Sequence, residues 1–222
     1  MKKVKINPLD YEIIEKFAFK YPLVERGVNN SYYSKRPLES KIWWKRLELM
    51  LGLAVGENHE HVIDLGGGYG FLVSFLAKMS RHVYYIDFDI NHVNFANDLF
   101  NELGLENVHV IAGDIQHLPF RDNSFQTMFA ADVLEHIENL QSSIEEMNRT
   151  LSKDGQIVTT SPSENRLYLF LRLLRKGKIR EETHLQTERK VVHFLSKIFD
   201  RIEIKKYPPV FELFTIALYK KR

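Results

Sequence analysis

An acid, a run of glycines and a second acid one strand later carry the chemistry this sequence offers. Asp64-Leu65-Gly66-Gly67-Gly68-Tyr69-Gly70 follows the apolar residues Val62 and Ile63, and Asp87 closes the next apolar stretch, His82-Val83-Tyr84-Tyr85-Ile86. Glycines let a backbone turn sharply and leave room for a ligand to approach the main chain. Phe71, Leu72, Phe75, Leu76 and Met79 then recur at helical spacing, so a helix starts at or just after the glycines. A strand, a glycine turn and a helix N-terminus in that order present a positive helix end to a bound small molecule. Asp87 adds a carboxylate that can accept hydrogen bonds from both hydroxyls of a ribose. Phe88 follows it, and Asp89 suits the N-cap of a helix starting near Asn91.

Spacing separates the chemistries that use such a unit. No Gly-Lys-Ser/Thr follows the glycines, which excludes a triphosphate-binding loop. A dinucleotide fingerprint would place its third small residue on Phe71, which weakens a nicotinamide dehydrogenase. The pattern Asp64-x-Gly66-x-Gly68-x-Gly70 resembles motif I of the class I S-adenosylmethionine-dependent methyltransferases. Leu118-Pro119-Phe120 and Asp122-Asn123-Ser124-Phe125 are similar to the loop that the type 11 members place before their fourth strand, and Val133-Leu134-Glu135-His136-Ile137 resembles their signature after it.

The resemblance implies S-adenosylmethionine as cofactor, bound by Asp64, Gly66, Gly67, Gly68, Gly70, Asp87 and Phe88. It implies Asp114 on the adenine amino group, the Ile115 N–H on a ring nitrogen, and the backbone near Ala131 at the methionine end. It also offers two candidate catalytic bases, His136 and His184, for which packing or backbone orientation is the alternative role. Gln126 stands where the family usually has Asp, so no role is carried over to that position.

The elements that must position these residues form one α/β domain. The chain has 222 residues, 44% hydrophobic and 27% charged, enough to bury its own core. We read residues 1–222 as a single methyltransferase domain, with a helical cap over 1–56 and a Rossmann-like core over 57–222 that carries an insertion at 163–185. Strand and helix patterns alternate along the core, which makes a doubly wound, mostly parallel sheet with its crevice at the carboxyl ends of the central strands. Ile202-Glu203-Ile204 and Phe211 to Tyr219 read as two strands joined through Tyr207-Pro208-Pro209, a link short enough for an antiparallel pair. The resemblance completes this as seven strands with a reversed last one.

Helices over residues 10–20 and from about Leu38 to Leu53 precede the glycine strand. By resemblance they cover the cofactor, which makes Tyr32, Tyr33, Trp43 and Trp44 candidate lid aromatics; the alternative is packing onto the sheet. Asp154-Gly155 reads as a turn into a fifth strand, Gln156 to Thr160. Leu167 to Leu174, followed by Arg175, Lys176, Lys178 and Arg180, reads either as a packed insertion helix or as a peripheral membrane contact through 166–180.

A net charge of +2 with a pI near 8.6 gives no strong field toward nucleic acid. Without cysteine there is no disulfide, thiolate nucleophile or cysteine-ligated metal, and no metal site is expected; a cytoplasmic location is. No apolar run is long enough to cross a bilayer. Methyl transfer from a sulfonium is an in-line displacement with a neutral leaving group, so the protein must chiefly align and desolvate the reactants. No Asn/Asp-Pro-Pro-Tyr follows the fourth strand, which by the same resemblance argues against methylation of the exocyclic amine of adenine or glutamine. The sequence therefore points to methylation of a small-molecule or lipid-like acceptor. The alternative is an S-adenosylmethionine-binding partner or regulatory subunit without transferase activity.

Overall fold

The computed structural model describes residues 4–17, 20–22, 28–29, 31–54, 59–163 and 185–222. His184 and the stretch 166–180 lie outside the described residues. Two helices, α1 (Tyr11–Glu15) and α2 (Pro37–Ala54), lead into β1 (His61–Leu65), α3 (Phe71–Leu76), β2 (His82–Asp87), α4 (Ile90–Glu102) and β3 (Val108–Ala112). The second half contains β4 (Phe125–Ala131), α5 (Leu140–Thr150), β5 (Leu151–Pro162), α6 (Glu188–Ile198), β6 (Phe199–Tyr207) and β7 (Phe214–Lys221).

Strand order is β3-β2-β1-β4-β5-β7-β6, and β7 runs antiparallel to both of its neighbours while β1 to β5 pair in parallel. The chain winds outward from β1 to β3, then returns to lay β4 against the other side of β1. In doubly wound sheets ligands bind at such a reversal, here the carboxyl ends of β1 and β4.

Alternation along each strand divides the core between two faces. Val62, Val83, Tyr85, Phe129 and Val158 face Leu47 and Met50 of α2, Phe71 and Phe75 of α3, and Phe95 and Leu99 of α4. Ile63, Leu65, Ile86, Met128 and Ile157 face Ile144 and Met147 of α5 and Val191 and Leu195 of α6. With both faces covered, the strands read as continuous apolar runs, as buried parallel strands do.

Local chemistry sets the helix starts. Asp10, Asp89 and Thr187 cap α1, α4 and α6, each side chain accepting from a backbone N–H of the first turn. The connection between β3 and β4 is a loop held by Arg149 of α5, which donates to the carbonyls of Leu118 and Phe120 and to the Asp122 carboxylate. Gln126, the residue that departs from the family pattern, accepts the His61 N–H at 2.8 Å and ties β4 to β1.

Three boundaries differ from the sequence reading. Helix α1 is shorter than residues 10–20. Strand β5 begins earlier than Gln156, at Leu151, paired with Phe125; Asp154-Gly155 still bends the chain before Gln156, where the register shifts and a Cβ on Gly155 would stand 2.6 Å from Leu151 Cδ1 and 2.9 Å from the Ser152 carbonyl. Strand β7 starts at Phe214, because Pro208 to Phe211 are spent on the turn from β6.

Candidate active site

The glycine turn is built against the tip of β2. The N–H groups of Gly66 and Gly67 donate to the Ile86 carbonyl at 2.8 and 3.2 Å, and the Gly68 N–H donates to Asp87 Oδ2 at 2.9 Å. Tyr85, buried on the α2 side of β2, donates its hydroxyl to the Gly68 carbonyl at 2.7 Å. Gly66 has φ +63°, and a Cβ there would stand 2.3 Å from Val133 Cγ2, so no other residue fits between the turn and the β4 tip. Gly68, at φ +51°, has nothing within 4 Å of where a Cβ would be, which leaves open space above the turn.

Asp64 is 1% exposed, and its Oδ1 has no hydrogen-bond partner among the described residues. Burial raises its pKa to about 8, and Asp87 adds to the rise while Arg46 opposes it. Asp87, 5% exposed, lies at the carboxyl end of β2 and receives the Asp89 N–H on Oδ1 at 2.9 Å. Burial alone would raise Asp87, but His92 and the N–H groups of Asp89 and Gly68 outweigh it and hold the carboxyl below its usual range. Phe88, the next residue, is 83% exposed at the rim.

The remaining expected residues that are described follow the ends of the same strands or open α3. Asp114, exposed beyond the end of β3, accepts from the N–H and side-chain amide of Gln116, and Ile115 is buried beside it. Ala131 ends β4, paired with Thr160 of β5. His136 is exposed on a short 3-10 turn, Leu134–His136, with its N–H donated to the Val133 carbonyl. Gly70 caps the N-terminus of α3.

Sequence reasoning missed a buried cluster on the β4 side. Arg46 of α2, 3% exposed, pairs with Asp132 and donates to the Tyr32 hydroxyl at 2.7 Å. Trp43 and Phe214 lie over its guanidinium, 4.6 and 5.0 Å from ring centroid to Cζ. The signal was present: Arg46 falls among Trp43, Leu47 and Met50, inside the apolar stripe of α2, where an unpaired charge has no place. Trp44 is a packing residue, stacked on Phe71 at 5.4 Å with its indole N–H donated to the Tyr32 carbonyl.

A switch point with an acid, a glycine turn and a second acid at its strand tips, in a sheet whose last strand is reversed, defines the class I methyltransferase fold. Residues 57–213 match a family model described as a methyltransferase domain, and the chain belongs to that family. A demethylmenaquinone methyltransferase from Staphylococcus aureus is 28% identical over 132 residues, which cover 60% of this chain and only 54% of that protein. A protein from Pyrococcus horikoshii OT3 superposes with a TM-score of 0.71 at 19% identity, over 88% of this chain and 96% of that one. Geranyl diphosphate C-methyltransferase from Streptomyces coelicolor A3(2), solved with S-adenosyl-L-homocysteine, superposes with a TM-score of 0.69 at 12% identity, over 83% of this chain and 78% of that one. At these identities the structural likeness is one of fold.

S-adenosylmethionine, the cofactor of this family, fits what the crevice offers. The unpartnered Asp64 oxygen suits an ammonium donor, the open space over Gly68 admits a ligand against the main chain, and the pre-oriented Asp87 carboxylate suits vicinal hydroxyls. Among the described residues no group of three or more acids and histidines is arranged to hold a metal, and no helix is long and apolar enough to cross a membrane.

Proposed function

We propose that this chain transfers the methyl group of S-adenosylmethionine to a small, lipid-like acceptor. The observation that carries the reading is the convergence of Asp64, the glycine turn and Asp87 at adjacent strand tips, under the open space over Gly68. When bound, S-adenosylmethionine supplies a methyl on a positively charged sulfur that leaves as a neutral thioether. Asp87 takes the ribose hydroxyls with a carboxylate already aligned by two backbone N–H groups. Asp64 offers its free oxygen to the amino-acid end, beside the backbone at Ala131. Asp114 takes the adenine amino group and the Ile115 N–H meets a ring nitrogen, with Phe88 at the rim. The chain's own task is alignment and exclusion of water, which need few catalytic side chains. His136 and His184 serve as bases where the acceptor arrives protonated.

The acceptor class is supported by the relative named for demethylmenaquinone and the structural neighbour named for geranyl diphosphate. It is supported also by the aromatic wall of Tyr32, Trp43 and Phe214 beside the β4 tip, within the helical cap of residues 1–56 and its contact to β7. A charged sulfonium nucleoside does not cross a bilayer unaided, which supports a cytoplasmic location.

Calorimetric titration with S-adenosylmethionine, S-adenosylhomocysteine and NAD tests the cofactor: the first two bind and NAD does not. Asp87→Ala weakens S-adenosylhomocysteine by about 1 to 3 kcal/mol, the scale of lost charge-assisted hydrogen bonds; an unchanged dissociation constant removes Asp87 from the ribose. Methyl-labelled S-adenosylmethionine with demethylmenaquinone, then geranyl diphosphate, as probe acceptors tests transfer. Tight cofactor binding without transfer to any lipid-like acceptor overturns the acceptor in favour of a cofactor-binding partner.

A further inference from the structure

Asp132, the first residue past β4, has φ +52°. Aspartate visits this left-handed region more readily than most residues, but only where local bonds hold it there. Three bonds do. Its N–H donates to the Thr160 carbonyl at 3.1 Å, its Oδ1 accepts from the Thr160 hydroxyl at 2.6 Å, and its Oδ2 pairs with Arg46. Arg46 is itself fixed, by the Tyr32 hydroxyl and by the rings of Trp43 and Phe214, and its Nε is buried without a partner. A guanidinium this deep cannot be satisfied by water, so Asp132 is the group that makes its burial tolerable. The dependence is mutual. With Arg46 gone, the carboxylate would lie uncompensated under α2 and would leave for solvent, taking its bond to Thr160 with it.

The next residue along the chain is Val133, whose side chain occupies the place beside Gly66 that a Cβ would need. A backbone rotation at Asp132 therefore moves Val133 off the glycine turn.

We propose that Arg46 is a positioning residue for the cofactor pocket: by pairing with Asp132 it holds the β4 tip in the left-handed conformation that seats Val133 against Gly66. The cap helix α2 is then part of the cofactor site's framework. This rests on the reading of the crevice as an S-adenosylmethionine site.

The test is calorimetric titration of the full chain with S-adenosylhomocysteine, with near-UV circular dichroism confirming a folded protein. Arg46→Met weakens binding by about tenfold or more. Two double variants, both free of buried charge, decide the mechanism. Arg46→Met with Asp132→Gly recovers binding to within about threefold of the parent, because glycine adopts the left-handed conformation without a partner. Arg46→Met with Asp132→Ala remains weak, because alanine resists it. Equal affinity of the two double variants overturns the proposal, whether both bind well, which leaves only charge balance, or both bind poorly, which leaves another route from Arg46. Wild-type affinity in Arg46→Met overturns it as well. A parent protein that does not bind S-adenosylhomocysteine overturns the cofactor assignment itself, before any variant is compared.

Discussion

Two carboxyls at neighbouring strand tips are pushed in opposite directions, Asp64 upward by burial and Asp87 downward by its donors. Opposed pKa values in adjacent acids are a mark of a working site. The consequence for stability has a definite sign. Asp64 ionises from an ordinary value of 3.8 when unfolded and keeps its proton up to about 8 when folded. Between those values the folded state binds more protons, so the contribution of Asp64 to stability is full below the lower value and is lost as pH rises through the upper one. The urea midpoint of the parent should fall across that window, and Asp64→Asn should flatten the fall. Parallel profiles for the two proteins would remove Asp64 as the source. Both acids and the glycines were legible because their types and order already limit what a strand, a turn and a helix start can bind. Tyr85 was not, because a tyrosine in a strand is ordinary until the fold shows what it reaches, and Arg46 was legible only as a charge inside an apolar stripe, its partner being decided by the fold.

Helix α2 joins cap and core. Its Trp44 meets Phe71 and Phe75 of α3 and Tyr32 and Tyr33 of the preceding segment, with ring centroids 5.0 to 6.2 Å apart. Trp44→Ala should cost about 3 to 5 kcal/mol, the range for emptying a buried aromatic site, measured by urea unfolding. A loss below about 1 kcal/mol, the scale of a surface substitution, would return Trp44 to the role of a mobile lid residue. Helical spacing placed α2 correctly and left both roles open for its tryptophans, since periodicity names the buried face without naming the partner. The fifth strand shows where local turn chemistry stops: Asp154-Gly155 bends the chain before Gln156 as its composition asks, but that Leu151 already pairs with Phe125 is set by β4.

At the scale of the molecule, residues of the N-terminal segment, including Ile6, Ile14, Leu47 and Met50, share one apolar cluster with Val62, Val83 and Phe129 of the sheet. The described residues of the N-terminal segment share the sheet's interior, so heat should unfold the two together. Calorimetry should give a single transition that moves to higher temperature with S-adenosylhomocysteine, by linkage to the folded state; two separated transitions would show that the cap folds on its own. What the sequence determined by itself was the succession of elements and the acids that flank the glycine turn, because turn chemistry and apolar period act between residues near in the chain; the reversed last strand was expected from the family resemblance. Tertiary structure alone decided that Arg46 meets Asp132, that Val133 fills the space at Gly66, and that Tyr85 braces Gly68. Those contacts join residues distant in sequence, and their energies depend on burial and geometry that exist only once the strands stand side by side.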